Sequence, residues 1–470
     1  MENVATNQNN SSSEESLFNA LAIQIQSKFD IVKYYSQRPL LQDRIICCVD
    51  PLLRQVNAAA YRPNFVIIGP LRCYETILEH IEIQKRICLA SFLQRAEKKA
   101  SLIDFFKLIK DSADRIHGCY EETYCRSWDF LSHVIQQNIP VNDGSSGLFI
   151  EMVLVDASFI IELFLRAYNK ELERGEIDFI FNTPRKMHDI RRDLFLAHNQ
   201  LPFFILKDMY ELAFGGNPDF PSFIHLTCHF FSPYYNQNKP IEDIMLPNHC
   251  HYEYRAKLEG AKHFTDLLRT LQMPSSKKTE DSLEAGRVQG RYLYSAVLLR
   301  DAGVKFKVST SRCLLDIEFN KKNGELKIPP LRVDESTESF FRNLMAWEQR
   351  YHSHETYLCD YIFLMEYLIK STEDVDLLIR RRIIINQLGS NTRVVTLFNN
   401  FCKHITPMEK NHFSDIFREL NAYNAVRRHS WLAILRLQYF STPWRGVATI
   451  AAVVLLVLTL IQTICALISL

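Results

Sequence analysis

Residues Phe149 to Leu165 read FIEMVLVDASFIIELFL. Apolar side chains cover nearly every face of this run at helical spacing, which predicts a helix buried on all sides. Its acids and its modest length exclude a membrane span. The stretch is therefore the expected centre of a helical core. Asp156 is its anomaly, set amid Val155, Ala157, Phe159 and Ile160. An ionised carboxylate there needs a cation or several donors, or else its pKa rises. Arg191 and Arg192, in the next helical segment, are the expected partners of a buried structural ion pair.

Toward the N-terminus, NIPVNDGSSG (residues 138–147) is the clearest loop. Trp128, Leu131, Val134 and Ile135 predict one helix, Leu102 to Ile109 another, and Leu78 to Leu93 a third. AAAYRPNFVIIGP (Ala58–Pro70) reads as a short apolar strand or buried turn closed by Gly69-Pro70. Leu17 to Leu41 is amphipathic, and the Asn/Ser-rich residues 1–16 predict a disordered tail. Toward the C-terminus, DLFLAHNQLPFFIL (Asp193–Leu206) continues the core, with Pro202 opening a helix. LQMPSSKKTEDSLEAG (residues 271–286) predicts an exposed loop. Between 304 and 333 the apolar period changes from helical to alternating, and Asn323-Gly324 separates two such runs. That predicts a small antiparallel β element. Helices resume from Phe340 to Tyr423. The fold class is thus mainly α, a multi-helix globular body over residues 17–440.

The chain closes on GVATIAAVVLLVLTLIQTICALISL (Gly446–Leu470), which contains no charged residue. Roughly 20 apolar residues suffice to cross a bilayer as a helix, the form that satisfies its own backbone in lipid. Residues 446–470 therefore predict one transmembrane helix and a tail anchor. Arg427, Arg428, Arg436 and Arg445 precede it, with no acid after Glu419, which predicts a cytosolic body on the plasma membrane or endoplasmic reticulum. Trp444 stands where an interfacial aromatic belongs, and Arg436 and Arg445 complete the membrane flank.

Of 470 residues, 47% are hydrophobic and 12% aromatic, enough for a sizeable core. The formal charge of +1 gives no global field for nucleic acid. The 12 cysteines form no C-x-x-C pair and predict reduced thiols rather than a disulfide scaffold. There is no Walker A, G-x-G-x-x-G or G-x-S-x-G motif, and the adjacent Glu121-Glu122 point to different helix faces. No catalytic residue or cofactor is indicated. The most site-like cluster is His225, Cys228 and His229 with His249, Cys250 and His251, since zinc accepts both residue types. Its spacing matches no known finger, so satisfied histidines and a buried Cys228 are expected instead.

Several blocks in order, YRPNFVIIGP (61–70), MVLVDASFIIELF (152–164), DLFLAHNQLPFFIL (193–206), IPPLRVDESTESFFRNLMAWEQ (ending at Gln349), DYIFLMEYLIKSTEDVDLL (from Asp360), QLGSN (387–391) and YFSTPW (439–444), resemble the plant family called domain of unknown function 247, or uncharacterised protein family 0481. The resemblance runs from about residue 30 to the end. It implies a mostly helical body with a C-terminal span and no established enzymatic activity; some members lie at grass self-incompatibility loci and are implicated in pollen recognition. That role suits an exposed surface, whereas the basic flank indicates a cytosolic one. The chain departs from the family at Leu71-Arg72 (usually Tyr-His), Ala157-Ser158 (Gly-Cys), His198 (Glu) and Arg382 (Gly).

Two readings of function follow. One is a membrane-tethered, non-catalytic protein whose body recognises an unidentified protein partner. The other is a membrane-bound hydrolase using Asp156, Asp193 or His198 in an internal polar pocket. Nothing in the sequence specifies an oligomeric state.

Overall fold

The computed structural model of the chain describes residues 44–70, 79–121, 144–169, 184–235, 252–273, 293–311, 313–406, 411–425 and 443–468. The chain divides into two units, Met1–Ile45 and Ile46–Leu470. Only residues 44 and 45 of the first are described, and the elements that follow belong to the second. The tail expected at 1–16, the amphipathic stretch 17–41 and the helix expected at 128–135 lie outside the described residues.

The first half comprises α1 (Pro51–Val56), α2 (Glu79–Ala96), α3 (Leu102–Asp111), α4 (Ala113–Gly118), α5 (Gly144–Tyr168), α6 (Pro184–Leu194), α7 (Phe203–Phe214) and α8 (Phe223–Phe231). Buried side chains occupy α5 without interruption from Met152 to Leu165. It packs against α2, α3, α7 and α8, so the core is built around the predicted stretch. α5 begins at Gly144, inside the loop expected over 138–147. The first helical turn has N–H groups without intrahelical partners in any case, so a Gly/Ser sequence is tolerated there once the apolar run drives the helix. Phe164 of α5 meets the rings of Phe223, Phe230 and Phe231 at 6.0, 4.4 and 6.0 Å. Stacked and edge-on pairs of this kind contribute about 0.5–1.5 kcal/mol each beyond area burial.

The second half comprises α9 (Tyr252–Glu259), α10 (Phe264–Gln272), α11 (Ala296–Asp301), β1 (Lys305–Val308), β2 (Glu318–Asn320), β3 (Glu325–Ile328), β4 (Leu331–Val333), α12 (Thr337–Tyr351), α13 (Tyr357–Leu368), α14 (Thr372–Arg380), β5 (Ile384–Asn386), α15 (Asn391–Phe401), α16 (Ser414–Ala425) and α17 (Pro443–Ile468). α10 carries buried Leu271 and Gln272 into the segment expected to be an exposed loop; 274–286 lie outside the described residues. β2 and β3 form the antiparallel hairpin, Glu318 opposite Lys327 and Asn320 opposite Glu325. Gly324 takes φ +63° at its turn, a conformation glycine reaches without steric penalty. Two further pairings are parallel: β1 joins β3, and β4 joins β5 across a crossover of three helices. Alternation marks a strand but not its partner.

Ser371 caps α14, accepting from the Asp374 N–H while the Asp374 carboxylate accepts from the Ser371 N–H. α14 then turns into β5 through Arg382, which adopts φ +59°. This is the position where the family pattern has glycine, and the left-handed backbone is the physical reason for it. Arg382→Gly is expected to raise stability by about 0.5–1 kcal/mol, the relief of side-chain strain outweighing the added freedom of the unfolded chain. A lowered denaturant midpoint would contradict that.

Candidate functional site

The segment from Ala59 to Pro70 forms no strand or α-helix, with 3₁₀ turns at Ala58–Ala60 and at residues 69–70. Yet much of it is buried, including Val66 and Ile68, so its backbone needs partners. Side chains from three distant helices and from the loop after α6 supply them. The Asp193 carboxylate, on α6, accepts the N–H groups of Asn64, Phe65 and Val66 at 3.0, 2.6 and 2.9 Å. Asn199 accepts from the Ile68 N–H at 2.7 Å and donates to the Val66 carbonyl at 2.8 Å. Asn343 of α12 donates to the Ala60 carbonyl at 3.0 Å. Asp156 of α5 accepts the Gly69 N–H at 2.8 Å. A ladder of carboxylates and amides thus replaces the strand neighbour this segment lacks. Gly69 sits at φ +64°, and a Cβ there would meet the Gln200 carbonyl at 3.0 Å and the Tyr120 hydroxyl at 3.1 Å. Only glycine fits that corner.

The pairing expected between Asp156 and Arg191 or Arg192 is not the one formed. Asp156 pairs with Lys85 of α2 at 2.8 Å, both side chains fully buried, and Lys85 also donates to the Ile67 carbonyl. Arg192 instead binds Asp193 at 2.9 Å, the carbonyls of Arg62 and Ala59, and the Ser339 hydroxyl. Arg191 lays its guanidinium 5.0 Å from the centre of the Phe230 ring and donates to the Phe230 carbonyl; burial lowers its pKa. The signal for Lys85 was in the sequence. It stands in the apolar stripe Ile81, Cys88, Phe92 at i+4, i−3 and i−7, and that stripe is the buried face of α2. A lysine there is drawn toward a buried acid. Glu162, one turn and a half beyond Asp156, is likewise held by Arg95 at 3.0 Å and Arg166 at 2.7 Å.

Burial pushes the Asp193 carboxyl up to about 6, against the opposing pull of the Asn64 and Val66 N–H groups, Arg192 and the Phe65 N–H. It is ionised at neutral pH and fully occupied by donors. His198 is also buried, and burial with the nearby charge of Arg54 depresses it to about 3. Its Nδ1 and the Arg54 Nε both lack a hydrogen-bond partner among the described residues. A glutamate at 198, the residue of the family pattern, would bring a carboxylate to that arginine. The Ser158 hydroxyl is similarly buried without a partner, which suits the cysteine of the family pattern better than serine.

Among the clefts on the described surface are three bordered by charged or polar side chains. One of about 680 Å³ is bordered by Cys48, Asp50, Arg54, Glu121 and Arg350. A second, of about 330 Å³, is bordered by Tyr234, Arg332, Asp334, Phe340 and Gln387, and a third, of about 280 Å³, by Glu335, Glu338 and Arg393. None is lined by Asp156, Asp193 or His198. Asp156 and Asp193 hold backbone, and His198 fills the core. His225 and His229 both set their rings edge-on to Tyr168, at 5.6 and 5.3 Å. Cys228 lies on the buried side of α8, where burial pushes its thiol up to about 12. His249, Cys250 and His251 lie outside the described residues. Among the described residues no group of three or more His, Cys, Asp or Glu is placed to hold a metal.

A second buried network, absent from the sequence reading, joins α10 to α12 and α13. Glu348 binds Arg269 at 3.0 Å and accepts the N–H groups of Leu358 and Cys359. Burial opposes ionisation of Asp266, but His352, His263, the Lys262 N–H and the Trp347 indole together hold it down to about 2. Among the described residues Asp360 has no such cation. It accepts from the His412 N–H at 2.7 Å and Asn411 Nδ2 at 3.2 Å, and burial, with the Glu348 charge, pushes it from 3.8 up to about 8. The folded state therefore keeps a proton that the unfolded chain releases between these values. Stability should fall as pH rises from about 4 to about 8, by up to about 1.4 kcal/mol per pH unit. Asp360→Asn, which mimics the neutral acid, should flatten this dependence in thermal melts. A slope unchanged from wild type would overturn the assignment.

Trp444 is exposed at the start of α17; Arg436 and the Arg445 side chain lie outside the described residues. A family model described as "Plant protein of unknown function" matches residues 46–458. A UPF0481 protein of Arabidopsis thaliana is 28% identical over 436 residues, covering 88% of this chain and 84% of its own. A putative UPF0481 protein from the same plant is 27% identical over 487 residues, covering 86% of each. No solved structure matches the chain.

Proposed function

The chain belongs to the plant family called domain of unknown function 247, and from that premise we propose that it is a membrane-tethered recognition protein rather than an enzyme. The observation that carries this is α17. Its segment Val447–Ile464 has a mean hydropathy of 2.5 and no part of it is buried. A helix of that composition left in water would expose an apolar surface far larger than soluble chains tolerate, whereas lipid accepts it. Its polar side chains fit the same environment: the Thr459 and Thr463 hydroxyls donate to the carbonyls of Leu455 and Thr459 within the helix. The arginines at 427, 428, 436 and 445 support a cytosolic body, on the plasma membrane or endoplasmic reticulum.

Recognition of a protein partner is supported by what the buried polar residues do. Asp156, Asp193, Arg192 and Asn199 are occupied in positioning backbone, which leaves surface loops between helices as the segments free to vary over a fixed core. The test is alkaline carbonate extraction of membranes bearing the full chain, protease protection with an N-terminal tag, and proximity labelling from the body. The reading expects a carbonate-resistant pellet, a protease-accessible tag on sealed cytosol-out membranes and a specific labelled protein. Release of the chain by carbonate removes the anchor; labelling no different from that of α17 alone removes recognition.

A further inference from the structure

α3 presents an unusual outer face. Phe105 and Ile109 are buried, Phe105 with its ring 5.2 Å from Phe92 of α2, and the helix packs on α5 and α7. The opposite face is not polar. Ile103 is 62% exposed, Leu102 41% and Phe106 38%. At about 100° per residue, Leu102, Phe106, Lys110, Ile103 and Lys107 fall in that angular order within one arc of about 140°. The two acids of α3, Asp104 and Asp111, lie together beyond the end of that arc, and Asp104 is engaged by the Ser101 hydroxyl and N–H. Lys107 and Lys110 are exposed and form no ion pair among the described residues. Within that arc three large apolar side chains are thus interleaved with two cations, and the Ser101 hydrogen bonds, helped by the nearby Lys107 charge, hold the Asp104 carboxyl below its ordinary range.

We propose that α3 is an interfacial helix that rests this face on the anionic surface of a lipid bilayer, Leu102, Ile103 and Phe106 entering the headgroup boundary and Lys107 and Lys110 meeting lipid phosphates and carboxylates. A protein groove would accept the apolar residues, but an anionic interface also takes the two lysines that share their arc, and the α17 anchor holds the chain beside one. So short a helix binds lipid weakly by itself. The proposal rests on the membrane-tethered reading, because a chain held at the bilayer by α17 meets that surface at high effective concentration, and a weak contact then suffices to orient the body.

The test uses the full chain reconstituted in vesicles of phosphatidylcholine alone or with phosphatidylserine. The photo-crosslinker p-benzoylphenylalanine replaces Ile103 or Phe106, or the exposed Ile385 of β5 as control. Mass spectrometry of the irradiated peptide is expected to show lipid adducts at 103 and 106, none at 385, and more with phosphatidylserine. Lys107→Gln and Lys110→Gln should each reduce the adducts by up to about fivefold. Adducts to a second protein chain at 103 and 106, or none at all, overturn the proposal. Carbonate extraction of the same vesicles separates the two readings. A resistant pellet without adducts removes only the α3 contact, and a carbonate-released chain that still forms adducts removes only the anchor.

Discussion

Asp193→Ala is expected to destabilise the body by at least about 4 kcal/mol, close to the whole stability of an ordinary domain. The substitution deprives three N–H groups, those of Asn64, Phe65 and Val66, of their acceptor and removes the counterion of buried Arg192. The Val66 N–H is buried, whereas those of Asn64 and Phe65 are part-exposed; an orphaned buried donor costs about 1–3 kcal/mol, and one partner left alone in a buried ion pair about 3–5 kcal/mol. Part of this is recovered as water reaches the segment, so the sum overstates the loss. The effect should be local before it is global: amide exchange at residues 64–66 should accelerate under conditions where α5 remains protected. Denaturation of the detergent-solubilised chain gives the magnitude. A loss near 1 kcal/mol would show that the carboxylate does not hold this segment.

Lys85→Met should cost about 3–5 kcal/mol, because it leaves the Asp156 carboxylate buried without its cation and the Ile67 carbonyl without its donor. Asp156→Leu alone should cost less, about 1–3 kcal/mol, since it orphans the Gly69 N–H while Lys85 keeps Glu82 at 3.0 Å and the Ile67 carbonyl. The double substitution should cost much less than the two losses added, by a coupling of about 1–3 kcal/mol. Arg192→Met combined with Asp156→Leu should show far weaker coupling, as Arg192 bonds to Asp193 and to the 59–62 backbone instead. Denaturant midpoints for wild type, the three single and the two double variants decide it. Strong coupling of Asp156 to Arg192 and none to Lys85 would contradict the arrangement described here.

The sequence was informative where a property is local. The apolar run at 149–165 fixes a helix buried all round because no rotation of it offers a polar face to water, and α5 is that helix. The alternation around Asn323-Gly324 marks a hairpin because the turn needs a positive φ that glycine supplies. Departures from the family pattern were also readable, and two gained a cause from the fold: the left-handed backbone at Arg382 and the unpartnered hydroxyl of Ser158.

The sequence by itself determined that the chain is mainly helical, which residues its central helix buries, that Asp156 needs a partner, and that its last segment is long and apolar enough to cross a membrane. Which partner Asp156 takes, that the 59–70 segment is braced by Asp193 and Asn199 rather than by a strand, and that β4 reaches β5 were decided only by the tertiary structure. The reason is physical. Periodicity records which face of an element avoids water, and every residue carries that record in its own neighbourhood. The identity of the opposing group depends on how helices dock across long sequence separations, and a flexible lysine reaching from α2 meets the same demand as an arginine of the helical segment that follows the acid's own.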